Sequence, residues 1–162
     1  MATGTPATAL LARRRIPHTL HHYEHDARTV TFGAEAAEAL SVDTRRIFKT
    51  LIAAVDGRLA CAVVPVAGRL DLKAFAAALQ GKKAELADPQ AAQRATGYVL
   101  GGISPLGQKS KLAILIDSSA LEHATIFVSA GRRGLQVELA PQELITLAEA
   151  RTAAITAPVT AG

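Results

Sequence analysis

Tryptophan is absent from the 162-residue chain, and cysteine and methionine occur once each. The lone thiol, Cys61, cannot close an internal disulfide and leaves no CxxC redox pair and no zinc-ligand pattern. Aromatic residues amount to 4% of the chain. The core must therefore be built from Ala, Leu, Val and Ile, and an open sheet that displays rings to single-stranded RNA is disfavoured. No apolar run approaches the roughly 20 residues of a membrane-spanning helix, and the N-terminus has no cationic segment followed by a continuous apolar stretch. A cytoplasmic protein is expected.

What is present suits one ordinary domain. Hydrophobic residues make up 49% and charged residues 20%, enough apolar material to fold independently. The formal charge of +4 and a pI near 9.6 favour anionic partners. Basic residues cluster at Arg13–Arg15, Arg45–Arg46, Lys82–Lys83, Lys109/Lys111 and Arg132–Arg133. Each cluster suits plain solvated surface; several meeting in space would make a rim that tracks phosphates.

Pro6 to Arg14 predicts a short helix with arginines at its C-terminal end, where cations complement the dipole. Pro17 opens an extended segment, His18 to Glu24. Phe32 to Leu40 reads as helix, Asp43 caps a single turn, and Phe48 to Val55 reads as a strand. Asp56-Gly57 is a hairpin signal, followed by the apolar run Leu59 to Val66. Asp71 caps a helix to Gln80, ended by Gly81, and Asp88-Pro89 opens another that stops near Gly97. Beyond it come Leu112 to Ile116, a short turn or helix, Thr125 to Ser129, a Gly-Arg-Arg-Gly turn, Leu135 to Leu139, and a last helix from Pro141 to Ala150. Mixed elements without strict βα alternation imply a single α+β domain, residues 1–150. Arg151 to Gly162 lose amphipathic order, and a frayed tail is expected there.

Two features carry candidate chemistry. The run Tyr98-Val-Leu-Gly-Gly-Ile-Ser-Pro-Leu-Gly-Gln-Lys109 places three glycines and a proline between apolar segments. Such a loop can bind a carbonyl or phosphate oxygen through main-chain N–H groups, and it equally suits a plain turn. It lacks the Gly-Lys-Ser/Thr ending of a P-loop and the spacing of a dinucleotide fingerprint. The second feature is Lys49, in a strand otherwise too apolar to have a wet face; it marks a site or simply extends its ammonium to water. Cys61, among apolar neighbours, reads as a buried and inert thiol. His18/His22 and His21/His25 are four apart, a spacing that groups ligands on a helix but not in the extended chain expected here, so no metal site and no cofactor is assigned.

Tyr23-Glu-His-Asp26, Phe48-Lys-Thr-Leu51, Val64-Pro-Val-Ala-Gly68, Leu70-Asp-Leu-Lys73, Ala87-Asp-Pro89, Gln93-Arg94, Thr96-Gly-Tyr98, the glycine loop and Gly131-Arg-Arg-Gly-Leu135 follow one another in this order. Together, from Ala7 to Ala148, they resemble the YbaK/EbsC family of free-standing aminoacyl-tRNA deacylases, relatives of the editing domain inserted in bacterial prolyl-tRNA synthetases. The resemblance implies a mixed, partly rolled sheet with helices outside it. It places Lys49 at the editing site, holding the terminal adenosine's ribose or phosphate and offsetting negative charge. Gly101, Gly102 and Ile103 become main-chain oxyanion donors, with Ser104 and Pro105 shaping the loop at the substrate. Tyr23, Phe32, Thr50, Ser129 and Gln136 match positions that line the aminoacyl pocket. At Gln136 the sequence departs from the Asp common in relatives: an amide can donate and accept hydrogen bonds but cannot act as a base or pair ionically with Lys49.

The implied function is trans-editing of Cys-tRNA(Pro), and of Cys-tRNA(Cys), in which the substrate's own thiol attacks its carbonyl. Editing of another small residue such as alanine on tRNA(Pro), and a non-catalytic tRNA-binding module, are the alternatives. The partners implied are aminoacyl-tRNA and, transiently, prolyl-tRNA synthetase.

Overall fold

The computed structural model describes residues 4–29 and 31–158. In chain order the elements are α1 (Pro6–Arg13), β1 (Thr19–His22), α2 (Phe32–Leu40), β2 (Phe48–Val55), β3 (Arg58–Pro65), β4 (Gly68–Leu70), α3 (Leu72–Ala78), β5 (Ala84–Leu86), α4 (Pro89–Thr96), β6 (Ala113–Asp117), a 3-10 turn (Ser118–Glu122), β7 (Ile126–Arg132), β8 (Leu135–Leu139), α5 (Pro141–Ala148), β9 (Arg151–Ala153) and β10 (Thr156–Pro158).

Local signals account for most boundaries. Asp71 and Asp88 accept from Ala74 N–H and Ala91 N–H as N-caps of α3 and α4, satisfying donors that a helix start leaves open. Asp56 and Gly57 both take positive φ, +49° and +85°, which is the type I′ geometry that joins β2 to β3 without splaying them. Asp43 accepts from Arg45 N–H at 2.8 Å and closes the turn before β2. The helix expected to reach Gln80 ends at Ala78, because Gln80 already sits at φ +61° and Gly81 N–H returns to Ala76 O.

Sheet order is β5-β2-β3-β6-β9 in the larger sheet, β1-β8-β7 in a smaller one and β10-β4 in a ribbon. The larger sheet is mixed: β2 pairs antiparallel with β3 and β5, whereas β6 runs parallel to β3 and β9. None of these sheets closes on itself, and with helices outside them the α+β expectation holds. A parallel bridge between Ile47 and Phe127 links the two main sheets at the start of β2. The pleat divides β3 between two cores. Cys61 and Val63 face Phe48, Ile52, Val128, Val137, Leu106 and Leu144, while Ala60, Ala62 and Val64 face Phe75 of α3, Leu115 and Ile155.

The expected frayed tail is corrected as far as Pro158. β9 pairs with β6 and β10 with β4, Ile155 between them is fully buried, and its N–H donates to the Asp117 carboxylate at 2.9 Å. The segment has no helical periodicity because its order comes from edge pairing, which needs only extended chain and a few apolar contacts. Residues 159–162 of that expectation lie outside the described residues.

Candidate active site

A cavity of about 490 Å³ opens between the start of β2, the N-terminus of α2 and the glycine loop. Its volume lies within the range of small-molecule sites. β2 contributes Phe48, Lys49, Thr50 and Leu51, the loop contributes Leu100, Gly101 and Ile103, and Ser129 and Gln136 come from the facing strands β7 and β8. The register sets Ser129 opposite Gln136. Lys49 and Thr50, as neighbours on a pleated strand, point to opposite faces, and the cavity reaches both.

Lys49 is half-buried, and burial pulls its ammonium pKa below the ordinary lysine value. Among the described residues no carboxylate pairs with it. The cavity therefore holds a cation with reduced hydration, whose attraction for developing negative charge is stronger than in water. Two buried polar oxygens at the cavity, Thr50 Oγ1 and Gln136 Oε1, have no hydrogen-bond partner among the described residues. Buried polar atoms are otherwise almost always paired, so both retain unused hydrogen-bonding capacity beside the cavity.

The glycine loop is held by its own bonds. Tyr98 donates its hydroxyl to Leu106 O at 2.6 Å, Leu106 N–H donates to Ser104 Oγ, and Lys109 and Ser110 N–H return to Thr96 and Ala95 carbonyls. Gly101 has φ +84°, and a Cβ there would stand 2.7 Å from the Phe32 ring, so glycine is required twice over. Its N–H and that of Ile103 have no acceptor among the described residues.

The structure brings Lys49, Thr50, Phe32, Gly101, Ile103, Ser129 and Gln136 together in one cavity wall and leaves four assigned residues off it. Gly102 N–H is engaged by Val99 O at 2.9 Å, so it is not an oxyanion donor. Ser104 is fully buried and serves the loop's own turn. Pro105 lines a separate groove of about 230 Å³ beside Gln108 and Lys109. Tyr23 is absent from the wall but contacts Gln136, which lines it. Burial raises its hydroxyl pKa, against the opposing pull of hydrogen bonds from the Gly134 backbone and the Gln136 side chain.

Sequence reasoning missed Thr31, Gly33, Ala34, Val66 and Leu100 in the wall. Thr31 precedes α2 without capping it by its side chain, so the positive end of that helix opens on the cavity. Gly33 gave a signal in hindsight, since a Cβ there would meet Val66 at 2.5 Å.

Outside the cavity, Cys61 is fully buried, its thiol pushed up to about 12 by desolvation, and it lies in the core as expected. His21 and His25 each bond a carboxylate, Glu138 at 2.9 Å and Glu35 at 2.7 Å. No group of three or more His, Cys, Asp or Glu suited to a metal occurs among the described residues.

A largely apolar chamber whose wall carries Lys49, main-chain donors without an acceptor among the described residues, and hydroxyls with no lining His, Cys or carboxylate to activate them suits cleavage of an already activated ester. The aminoacyl-tRNA editing domain family matches residues 26–147. The chain belongs to that family. It is 36% identical over 155 residues, 94% of this chain and 93% of the other, to an Enterococcus faecalis protein, EbsC, named as a Cys-tRNA(Pro)/Cys-tRNA(Cys) deacylase. A 102-residue stretch, 63% of this chain, is 32% identical to 18% of a proline–tRNA ligase of Acidithiobacillus ferrooxidans. In fold it superposes with a TM-score of 0.83, at 22% identity, on a solved structure described as a trans-editing enzyme for prolyl-tRNA synthetase, covering 96% of this chain and 99% of that one. No helix among the described residues is long and apolar enough to cross a membrane.

Proposed function

We propose that this editing domain is a free-standing deacylase that clears cysteine from tRNA(Pro), and also from tRNA(Cys), by substrate-thiol assistance. The single observation that carries the reading is the gathering of Lys49 with Gly101 and Ile103, whose N–H groups have no acceptor among the described residues, around one cavity that holds no Ser/His/Asp or Cys/His pair. The cysteinyl sulfur attacks its own carbonyl carbon, the N–H groups hold the resulting oxyanion, and the bond from carbon to the ribose oxygen breaks. The thiol proton ends on the ribose oxygen, and the amino acid leaves as a strained thiolactone that water opens. Lys49 offsets the charge that develops on the ribose side. The neutral Gln136 fits this scheme, because the reacting sulfur needs no enzymatic carboxylate as base.

The match along 93% of the length of EbsC supports action in trans, and tRNA identity is supplied by a transient complex with prolyl-tRNA synthetase. Single-turnover rates on cysteinyl, seryl and alanyl esters of the same tRNA test the reading. A thiol reaches its nucleophilic anion at far lower pH than a hydroxyl, so the cysteinyl ester is expected to be cleaved much faster than the seryl. Equal rates on these two would exclude thiol assistance. Preference for the alanyl ester would move the specificity to alanine, and binding without cleavage would make the protein a non-catalytic tRNA-binding module.

A further inference from the structure

We infer that Arg133 is a positioning residue for ester cleavage: it locks the Leu100–Gly101 peptide in the orientation that presents the Gly101 N–H to the cavity. The inference rests on the reading of that N–H as an oxyanion donor. Val99 to Gly102 form a four-residue turn closed by Gly102 N–H to Val99 O at 2.9 Å, with Gly101 at its third position at φ +84°. Turns of this length occur in two common forms, I and II, which differ by a flip of the central peptide, and positive φ at the third position marks type II. Here the flipping unit is the Leu100 carbonyl together with the Gly101 N–H.

A trans peptide is planar, and its C=O and N–H point to opposite sides. Whatever fixes the Leu100 carbonyl therefore aims the Gly101 N–H. Arg133 Nε donates to Leu100 O at 2.8 Å, and no other donor among the described residues reaches that oxygen. The preceding peptide is held separately, by Leu100 N–H donating to Gln93 Oε1 at 3.0 Å. Gly101 tolerates both turn forms at little cost, so the turn's own residues leave the choice open. The guanidinium is itself steadied over the Phe32 ring, 4.8 Å from its centroid, and the same ring closes the space beside Gly101. The Arg133 side chain is otherwise exposed, and its removal leaves the core intact.

The test is Arg133→Ala and Arg133→Lys, each measured for single-turnover cleavage of Cys-tRNA(Pro) and for half-saturating tRNA concentration. NMR of the free protein adds the sequential cross-peak from Leu100 Hα to Gly101 HN, which is strong in type II and weak in type I. Arg133→Ala is expected to lower the rate at least roughly tenfold, as partial loss of an oxyanion donor does, with half-saturation little changed and the cross-peak weakened. Arg133→Lys, which keeps a donor but not the planar fork, is expected to recover part of both. A parent-like rate in Arg133→Ala, a loss confined to tRNA affinity, or an unchanged cross-peak each overturns the inference. If the parent protein cleaves none of the cysteinyl, alanyl and seryl esters, the deacylase reading fails instead, and the cross-peak, which needs no substrate, still decides whether Arg133 holds the turn.

Discussion

Lys49 shows how one residue can be costly to the fold and necessary to the site. Burial lowers its pKa below the ordinary 10.5, so the native protein gives up this proton more readily than the unfolded chain does. Stability then rises with pH between the native and unfolded values, and at pH 7 the buried charge is a net cost. Lys49→Met is expected to leave the melting temperature unchanged or raised while lowering single-turnover deacylation by about 10²-fold. A thermal melt and a rate on the same sample check both halves. Gly101→Ala tests the opposite balance: positive φ and the Phe32 ring predict a loss of about 1–2 kcal/mol in urea unfolding, together with a fall in rate. Lys49 and Gly101 were legible because each breaks a local pattern, a cation in an apolar strand and adjacent glycines between strands. Thr31 and Val66 break none, and their place in the wall depends on how α2 docks.

Between elements, Glu138 ties the smaller sheet to the approach of β2. It accepts from the Thr125 hydroxyl, from His21 on β1 at 2.9 Å and from Arg46 at 3.4 Å, while Arg46 and His21 both lie against the Phe127 ring. The Thr125 hydroxyl first, then His21 and Arg46, hold its carboxyl below the ordinary 4.5 against the opposing effect of burial. A depressed acid stabilises the native state fully above its unfolded pKa, and that contribution disappears as pH falls through the native value. Glu138→Gln should therefore lose about 1 kcal/mol at pH 7, with the gap between parent and variant closing in melts taken at progressively lower pH, below the ordinary 4.5. The histidine spacing had already argued against a helical metal site. Nothing in the sequence indicated that His21 would meet Glu138, because 117 residues separate them.

At the scale of the molecule, the C-terminal segment completes the second core. Ile155 is fully buried against the cluster of Phe75 and Leu115, and its carbonyl accepts from Asp71 N–H at 2.8 Å, just before α3. Ile155→Ala is expected to cost about 2–4 kcal/mol in urea unfolding, the penalty for a cavity in a packed core; a loss under 1 kcal/mol would return the segment to the status of a loose tail. By itself the sequence determined the Asp71 and Asp88 helix caps, the hairpin at Asp56-Gly57, the apolar run that becomes β3 and the α+β class, since these depend on periodicity, capping chemistry and short motifs that act over a few residues, whereas Phe32, Thr50, Ser129 and Gln136 were pointed to only by the family resemblance. Only the tertiary structure decided that Arg151–Pro158 pairs with the sheets, that Gly102 donates to its own turn rather than to a substrate, that Ser104 and Pro105 lie off the wall, and that Arg133 reaches Leu100. Those outcomes depend on contacts between distant parts of the chain, whose partners are chosen by how the two sheets and the loop pack and not by any local pattern.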